Sequence, residues 1–173
     1  MRYRKQSRGF TVIELLAVIS IIAILLTFVV PMGNKAKTKA RIAKAKTEIA
    51  ALETAISAYY TDMGTYPTDR TAADQLENRN TVIITRLSGR NGGTGSYDMT
   101  IVNDSNWNGP YMEFDAASIA SSAFIDPWGN PYVIEIALDN DVGTPPTHNA
   151  LSFDISSNGP NETAGDSDDI TNY

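Results

Sequence analysis

The feature that most constrains this chain is a long apolar run near its amino terminus. Residues 10–30 read FTVIELLAVISIIAILLTFVV and contain one charged residue, Glu14. A helix of roughly 20 apolar residues is long enough to span a bilayer. Four basic residues in MRYRKQSRG precede the run, and positive charge favours the cytoplasmic side. The sequence therefore predicts one transmembrane helix, with the rest of the chain on the opposite side of the membrane.

Charge and composition restrict what that remaining part can do. Ten of the 14 lysines and arginines lie after the apolar run, against 20 acidic residues in the chain. This acidic balance argues against nucleic-acid binding, which needs clustered cations. The absence of cysteine excludes disulfides, thiolate zinc sites and cysteine nucleophiles. A length of 173 residues predicts one compact head.

Glu14 is anomalous, because an ionisable side chain within a membrane helix costs about 2.5 kcal/mol or more unless it reaches water or finds a partner. Its place near the cytoplasmic end allows a simple interpretation, a carboxylate that reaches the interface. A cleavable secretory signal is not indicated, because Pro31 and a basic stretch follow the run instead of a small-residue cleavage site.

The residues around Glu14 support a more specific interpretation. The segment Arg8-Gly9-Phe10-Thr11-Val12-Ile13-Glu14 resembles the signature of type IV pilins and pseudopilins. The resemblance implies that a prepilin peptidase cleaves between Gly9 and Phe10 and that the new Phe10 amine is N-methylated. It also implies that Glu14 pairs with Phe10 of a neighbouring subunit. A free α-amine is largely cationic at neutral pH, so this pair would neutralise two charges in lipid.

Pro31 follows the apolar run directly and removes one backbone donor from any helix that continues through it. It matches the helix proline of the same family, where subunits in a filament locally loosen the helix. The resemblance therefore gives Pro31 a role in assembly. The alternative is that Pro31 only begins a new helical segment.

The segment after Pro31 is first basic and then amphipathic. Six lysines and arginines lie within residues 35–46, which indicates either a solvated stalk near lipid headgroups or attraction to acidic heads of neighbouring subunits. Apolar residues then recur with the period of an amphipathic helix: Ile42, Ile49, Leu52, Ile56, Tyr59 and Met63. Residues 10–62 are predicted to form one interrupted helix, which Gly64 ends.

Further motifs resemble elements of the major, G-type pseudopilins of type II secretion. Residues 59–68, YYTDMGTYPT, resemble the transition where the chain turns off the long helix. An ordinary helix stop is the alternative there. Gly109-Pro110-Tyr111 and residues 126–132, DPWGNPY, resemble two elements of the head. Their prolines and glycine predict turns beside an apolar strand, with Trp128 and Tyr132 in packing roles.

The first part of the head is predicted to be helical and then irregular. Residues 71–89 are expected to form a second helix, with an interruption at residues 78–80. Residues 88–109 are rich in glycine, asparagine and serine, which predicts a loop-rich insertion. A short strand is expected within it, at residues 99–102.

The later part of the head is predicted to form a sheet. Strands at residues 132–138 and 151–155 are expected to pair across a turn that contains Pro145 and Pro146. The predicted fold class is therefore α+β and type IV pilin-like. It combines a long helix, transmembrane in its first half, with a small antiparallel sheet and a C-terminal metal-binding loop.

The C-terminal segment is the candidate metal site. Residues 152–173, SFDISSNGPNETAGDSDDITNY, are acidic and have few apolar residues, as many disordered tails do. Clustered carboxylates also suit a hard divalent cation with oxygen ligands, and the ending resembles the calcium loop of pseudopilins. The resemblance assigns one calcium ion to Asp168, Asp169, Asn161 and, less directly, Asp166. Asn161 stands where the family has a further aspartate, so it would contribute an oxygen without a charge.

Three other motifs give weaker evidence for a functional site. Residues 104–115 match part of an EF-hand loop without flanking helices, so a capped turn is expected there. Residues 92–95, GGTG, lack the lysine of a phosphate-binding loop. His148 is the single histidine, and no nucleophile motif accompanies it. No enzymatic activity is predicted.

Together these inferences predict a structural subunit of the type II secretion pseudopilus, which polymerises from the inner membrane to help extrude folded periplasmic proteins. The expected partners are other copies of the chain, minor pseudopilins, the inner-membrane secretion platform and prepilin peptidase, with no nucleic acid. The first alternative is a type IV pilus major pilin, used in adhesion, motility or DNA uptake. The second is a membrane-anchored calcium-binding module that never polymerises, which would leave Glu14 unexplained.

The expected organisation has four parts. Residues 1–9 would be a leader removed by prepilin peptidase, and residues 10–30 the transmembrane and polymerisation helix. Residues 31–62 would form the helical stalk and the spine of the head, and residues 63–173 the rest of the head. The protein is expected in the bacterial inner membrane as a single-pass protein whose C-terminal head lies in the periplasm.

Overall fold

The computed structural model describes residues 10–68, 76–136, 148–149 and 152–173, with side chains throughout except at 28–34 and 76–79. The described helices are α1 (Val12–Met63), α2 (Leu76–Ser88) and α3 (Met99–Val102). The described strands are β1 (Ile119–Ala120), β2 (Ala123–Phe124), β3 (Val133–Ile136), β4 (Phe153–Ser157) and β5 (Ile170–Thr171). The chain consists of two compact units, Met1–Lys39 and Ala40–Tyr173.

The long helix predicted from the sequence is confirmed, but it is continuous where an interrupted helix was predicted. It continues through position 31 and ends at Met63, where Gly64 adopts a positive φ of 68° that glycine tolerates without strain. The side chains described between Phe10 and Thr27 are exposed on every side of the helix. Within the part of the chain that the structure describes, no helix is long and apolar enough to cross a membrane.

The second half of α1 supplies one side of the hydrophobic core. Ala45, Ile49, Leu52, Ile56 and Tyr59 are all buried, as their spacing on one helix face requires. They pack in one cluster with residues from α2 and from the sheet: Ile83, Ile84, Leu87, Ile134, Ile136 and Ile155. The predicted apolar stripe is therefore confirmed, with Ile42 and Met63 only partly buried at its two ends.

Helix α2 falls within the predicted residues 71–89, but the predicted interruption at residues 78–80 is wrong. The helix runs unbroken through these positions. Asn80 is 4% exposed. Its Nδ2 donates to the Tyr132 carbonyl at 3.0 Å, and its Oδ1 accepts from the Phe124 backbone N–H at 3.1 Å. Two buried tertiary hydrogen bonds thus hold asparagine in the helix despite its weak helix propensity.

The strand predicted at residues 99–102 is also wrong, because Met99–Val102 forms one turn of α-helix. Asp98 caps this turn, accepting a hydrogen bond from the Thr100 backbone N–H at 2.9 Å. The loop around it packs on Trp107, whose ring lies against Gly89 and Gly109 and whose Nε1 donates to the Arg86 carbonyl at 3.0 Å. An indole in this position leaves no room for a Cβ at either glycine.

The sheet has the predicted antiparallel pairing and one strand that was not predicted. Strands β3 and β4 pair with Ile134 opposite Ile155, which confirms the two predicted strands where they are described. Strand β5 pairs with the other edge of β4, so the order is β3-β4-β5. A separate hairpin joins β1 and β2, with Ile119 opposite Phe124. The fold is α+β, with a long helix and small antiparallel sheets.

The turn off the long helix follows the predicted transition motif. Pro67 is buried, and the Tyr66 ring lies 4.5 Å from that of Tyr60 and 5.9 Å from that of Phe153, between ring centroids. Tyr66 therefore ties the first residues after α1 to strand β4.

Candidate functional site

The start of α1 is a capping box formed by Thr11 and Glu14. The Glu14 Oε2 accepts from the Thr11 backbone N–H at 2.8 Å and from its hydroxyl at 2.8 Å. In return the Glu14 backbone N–H donates to Thr11 Oγ1 at 3.3 Å. A threonine at the N-cap and a glutamate three residues later satisfy the free donors of the first turn. Thr11 was not assigned a role from the sequence, although Thr-x-x-Glu is a recognisable signature of this motif.

Of the residues predicted to act in processing and assembly, the structure describes the side chains of Phe10 and Glu14. Phe10 is 83% exposed, directly before the capping box. Both hydrogen bonds that the Glu14 carboxylate accepts use Oε2, and Oε1 has no partner among the described residues. Gly9 lies outside the described residues, and so does the side chain of Pro31. The start of the helix thus presents an exposed aromatic ring and a carboxylate with one free oxygen.

The C-terminal loop brings three of the four predicted metal ligands together. The Asn161 Nδ2 donates to Asp166 Oδ2 at 2.6 Å and to Asp168 Oδ1 at 2.7 Å. The hydrogen bond between the two carboxyl groups lowers the pKa of Asp166 and raises the pKa of Asp168. Both carboxyl groups lie within hydrogen-bond distance of the same Asn161 amide, and carboxylates this close repel each other when both are ionised.

Asp169 makes no hydrogen bond to these three side chains in the described structure. Its Oδ2 accepts from the Gly165 backbone N–H at 2.7 Å, whereas its Oδ1 is buried and has no hydrogen-bond partner. Across the described residues, no three histidine, cysteine or acidic side chains converge as a metal site requires. The loop thus combines a close carboxylate pair with one buried oxygen that lacks a partner.

The backbone of the loop is fixed by a glycine and by a turn. Residues Gly159–Asn161 form a short 3-10 turn, and Gly159 has a φ of +67°. A Cβ at Gly159 would overlap the Asp168 carbonyl oxygen. Only glycine therefore allows the start of the loop to approach its end, where the paired aspartates lie.

A buried carboxylate links this loop to the DPWGN turn. Asp126 is 4% exposed, and its Oδ1 accepts from the backbone N–H groups of Trp128 and Asn130, both at 2.9 Å. Its Oδ2 accepts from the Ser157 hydroxyl at 2.6 Å, and the Ser157 Oγ accepts from the Gly159 backbone N–H at 3.2 Å. No role was assigned to Asp126 or Ser157 from the sequence, so this side-chain link was missed.

The predicted packing residues of the turn are confirmed. Tyr132 is 2% exposed and donates from its hydroxyl to Glu48 Oε2 at 2.7 Å, and Trp128 packs partly against the core. Burial, together with the Glu48 carboxylate, raises the pKa of Tyr132 well above its ordinary value. This hydrogen bond joins the second half of α1 to the residue before β3.

The EF-hand-like segment and the single histidine, for which no functional site was predicted, make structural contacts. Asp104 Oδ1 accepts from the Asn106 backbone N–H at 2.9 Å, and Asp115 Oδ1 accepts from that of Ala117 at 3.1 Å. These are the expected capped turns. The His148 ring stacks on Tyr173 at 3.6 Å between centroids, and its Nδ1 lies 3.5 Å from Asp154 Oδ2.

The capping box and the exposed apolar helix that follows it both lie in residues 4–30, which match the prokaryotic N-terminal methylation motif. The chain therefore belongs to the class of proteins that carry this motif at the start of a long apolar helix. Residues 33–173 match the family model of type II secretion system protein G. The chain is also 33% identical to the type II secretion system core protein G of Escherichia coli (strain K12), over 100% of this chain and 95% of that protein. The chain belongs to the type II secretion system protein G family.

This family assignment settles the broad function. The chain is a major pseudopilin, a structural subunit of the type II secretion pseudopilus. The family is a structural one and is not known for catalysis. The match over residues 33–173 favours this function over the type IV pilus alternative, which the N-terminal motif alone had left open.

Proposed function

We propose that the chain is anchored in the bacterial inner membrane by residues 10–30, with its head in the periplasm, and that it polymerises there to help extrude folded proteins. The observation that carries this proposal is the exposure of apolar side chains on every side of α1 between Phe10 and Leu26. A helix that is apolar all round belongs in a protein core or in lipid. No described residue of the chain covers this one, which favours lipid and neighbouring subunits.

Processing of the amino terminus would prepare the helix for assembly. Prepilin peptidase would cleave between Gly9 and Phe10, and the Phe10 amine would be methylated. Glu14 of one subunit would then pair with Phe10 of the next through its free Oε1. The Thr11 bonds support this role because they hold the carboxylate at the start of the helix, where the positive end of the helix dipole stabilises an anion.

The growing filament needs other components. Minor pseudopilins, the inner-membrane platform and prepilin peptidase are the expected partners, and a separate cytoplasmic ATPase would supply the energy. Nucleic acid is not expected, since the chain has a net charge of -6. Residues 31–62 would serve as stalk and spine, and Pro31 would let the helix loosen within the filament.

A processing and assembly experiment tests this function. The full chain is produced in a cell whose secretion system lacks its own protein G. We expect a methylated Phe10 terminus, sheared filaments and restored secretion. Glu14→Leu should be processed and inserted but should form no filaments. Glu53→Gln, an exposed carboxylate on the same helix, is the matched control and should behave as wild type. Filament formation by Glu14→Leu at the wild-type level would contradict the assembly role.

The C-terminal loop is proposed to bind one calcium ion through Asp168, Asp169, Asn161 and Asp166. The donors suit a hard cation, which prefers carboxylate and amide oxygens. The close Asp166 and Asp168 carboxyl groups and the unpartnered Asp169 Oδ1 are the features that a cation would stabilise. Bound calcium would supply positive charge that holds the loop closed against β4, and it would take no part in a reaction.

Thermal unfolding of the full chain in detergent tests the metal. Binding to the native state alone adds about 2.7 kcal/mol at a hundredfold excess over the dissociation constant. We therefore expect calcium to raise the Tm of wild type by several degrees over a chelator. The double variant Asp168→Ala and Asp169→Ala should lose this rise. Glu162→Ala, an exposed carboxylate of the same loop, should keep it. Equal responses from the two variants would refute the assigned ligands.

A further inference from the structure

The charges of this chain are divided between two regions. Six lysines and arginines lie within residues 35–46, and that segment contains no acidic residue. No lysine or arginine follows Arg90, whereas 13 aspartates and glutamates do. A soluble domain usually intersperses both signs on its surface. A separation of this kind therefore requires a physical reason beyond solubility.

The basic segment, residues 35–46, is not neutralised within the chain. All six basic side chains in it are exposed. Lys44 lies 3.5 Å from Glu48 Oε1, and among the described residues this is the one ion pair that a lysine or arginine makes. The acidic residues after Arg90 consequently form no ion pair with a lysine or arginine in the part of the chain that the structure describes.

The basic segment also carries its charge on two sides of α1. At 100° per residue, Lys35, Lys39 and Lys46 fall on one flank of the helix, and Lys37, Arg41 and Lys44 fall on the opposite flank. The face between the flanks leads into the buried stripe that starts at Ala45. A helix that is charged on both flanks suits a subunit with neighbours on both sides.

Lipid headgroups reach only part of this segment. At 1.5 Å per residue, Lys46 lies about 24 Å along the helix beyond Val30, where the apolar run ends. The headgroup layer of one leaflet is roughly 5 to 8 Å thick. Basic residues on the translocated side also oppose the orientation that the leader favours. The later cations of the segment therefore need an anionic partner other than the membrane.

Two exposed carboxylates of the head are suitable partners. Glu113 and Glu162 are exposed, and their carboxylates make no hydrogen bond or ion pair in the described structure. The other exposed acidic residues after Arg90 are engaged locally: Asp104 and Asp115 in capped turns, and Asp166 with Asn161. Among the residues that the structure describes after Arg90, Glu113 and Glu162 are thus the exposed acidic groups that stay available to another molecule.

We propose that the basic segment of one subunit docks on the acidic head of a second copy of the chain, with Glu113 and Glu162 as its main contacts. This inference rests on the proposed function, because it requires a filament. Single exposed ion pairs contribute little, but a filament repeats them at every subunit interface. The contacts would also relieve the repulsion among basic segments that assembly brings close together.

Zero-length cross-linking tests the contact directly. Wild-type filaments are assembled from a mixture of ¹⁴N- and ¹⁵N-labelled full-length chains and treated with a carbodiimide, which joins a lysine amine only to a carboxylate that touches it. We expect mixed-isotope peptides that join Lys35–Lys46 to Glu113 or Glu162. Filaments without such peptides would overturn this inference and leave the proposed function intact. Absence of wild-type filaments would defeat both.

Charge reversal gives the second measurement. The triple variant Lys37→Glu, Lys39→Glu and Lys46→Glu should lower the filament yield at least tenfold. Adding Glu113→Lys and Glu162→Lys should restore at least half of the loss, and each of them alone should restore part of it. Glu53→Lys, a charge change equal to either single reversal but outside the contact, should restore none. Wild-type filaments should also dissociate as salt rises toward 1 M, where screening is strong. If the triple variant instead loses membrane retention and the head reversals do not rescue it, the segment binds lipid and the inference is wrong.

Discussion

Residues 12–27 and residues 45–59 lie in the same α-helix, yet their side chains have opposite surroundings. The first stretch is apolar on every side and exposed throughout. The second has an apolar stripe, and that stripe is buried against α2 and the sheet. Backbone geometry is the same in both, so sequence pattern alone decides the partner. The apolar stripe of the second stretch packs against the head of the same chain, whereas the side chains of the first stretch are left exposed by the described residues.

The strongest test of this comparison replaces one leucine in each stretch. Leu52→Ala removes a fully buried side chain and should lower the free energy of unfolding of the head by about 2 to 5 kcal/mol. Leu25→Ala changes a side chain that is 58% exposed and should leave the head within about 0.5 kcal/mol of wild type. Urea unfolding followed by tryptophan fluorescence measures both. Similar losses would mean that the head depends on the first stretch.

A second variant separates tertiary hydrogen bonding from helix formation within the head. Asn80→Ala should improve local helix propensity but leave the Tyr132 carbonyl and the Phe124 N–H without their buried partner. We expect a net loss of about 3 kcal/mol in the same unfolding assay. Asn106→Ala, at an exposed loop position, is the control and should be nearly neutral. A stabilised Asn80→Ala protein would refute this account of α2.

A matched glycine pair compares a crowded and an open position of the C-terminal loop. Gly159→Ala should cost about 2 kcal/mol or more, because positive φ disfavours alanine and its Cβ would overlap the Asp168 carbonyl oxygen. Gly165→Ala has a φ of +88° but no atom within 4 Å of the added Cβ, so only the backbone cost of about 1 kcal/mol should remain. Thermal unfolding of the two variants distinguishes them. Equal losses would show that the loop relaxes away from the contact.

The smallest expected effect concerns the hydrogen bond between α1 and the head. Tyr132→Phe removes the bond to Glu48 and should cost about 1 kcal/mol near neutral pH. Tyr60→Phe, at an exposed ring whose hydroxyl has no described partner, should cost less. Stability measured against pH gives a further check. Burial raises the pKa of Tyr132 in the folded state, so its stabilising effect is complete below the unfolded pKa of about 10 and is lost above it. Wild type should therefore lose stability above pH 10 more steeply than Tyr132→Phe.

The elements that sequence predicted correctly are those with a long or regular pattern. The apolar run and the stripe from Ile49 to Tyr59 each repeat a local rule over several turns, and α1 follows them. Strands β3 and β4, of four and five residues, each have buried apolar side chains at alternate positions. In these cases the local pattern and the tertiary structure favour the same element, so the sequence alone is sufficient to predict it.

The missed elements are short or depend on distant residues. Hairpin β1–β2 has strands of two residues and turns through Ser121 and Ser122 at positive φ, without the Asn-Gly pair that signals such a turn. Residues 99–102 contain β-formers, but the Asp98 cap converts them to a helical turn. The metal loop was predicted only as a set of residues. Its arrangement, with Asn161 between two carboxylates and Asp169 bonded to Gly165 instead, depends on contacts made across the fold.

The two tryptophans give the head two separate optical reporters. Trp107 packs on Gly89 and Gly109 in the loop after α2, while Trp128 lies in the Asp126 turn that is tied through Ser157 to the C-terminal loop. The chain contains no other tryptophan. A variant that keeps only Trp128 should therefore sense events at the C-terminal loop, and one that keeps only Trp107 should be silent to them. Fluorescence lifetimes of the two proteins would follow each end of the head during filament growth without any attached dye.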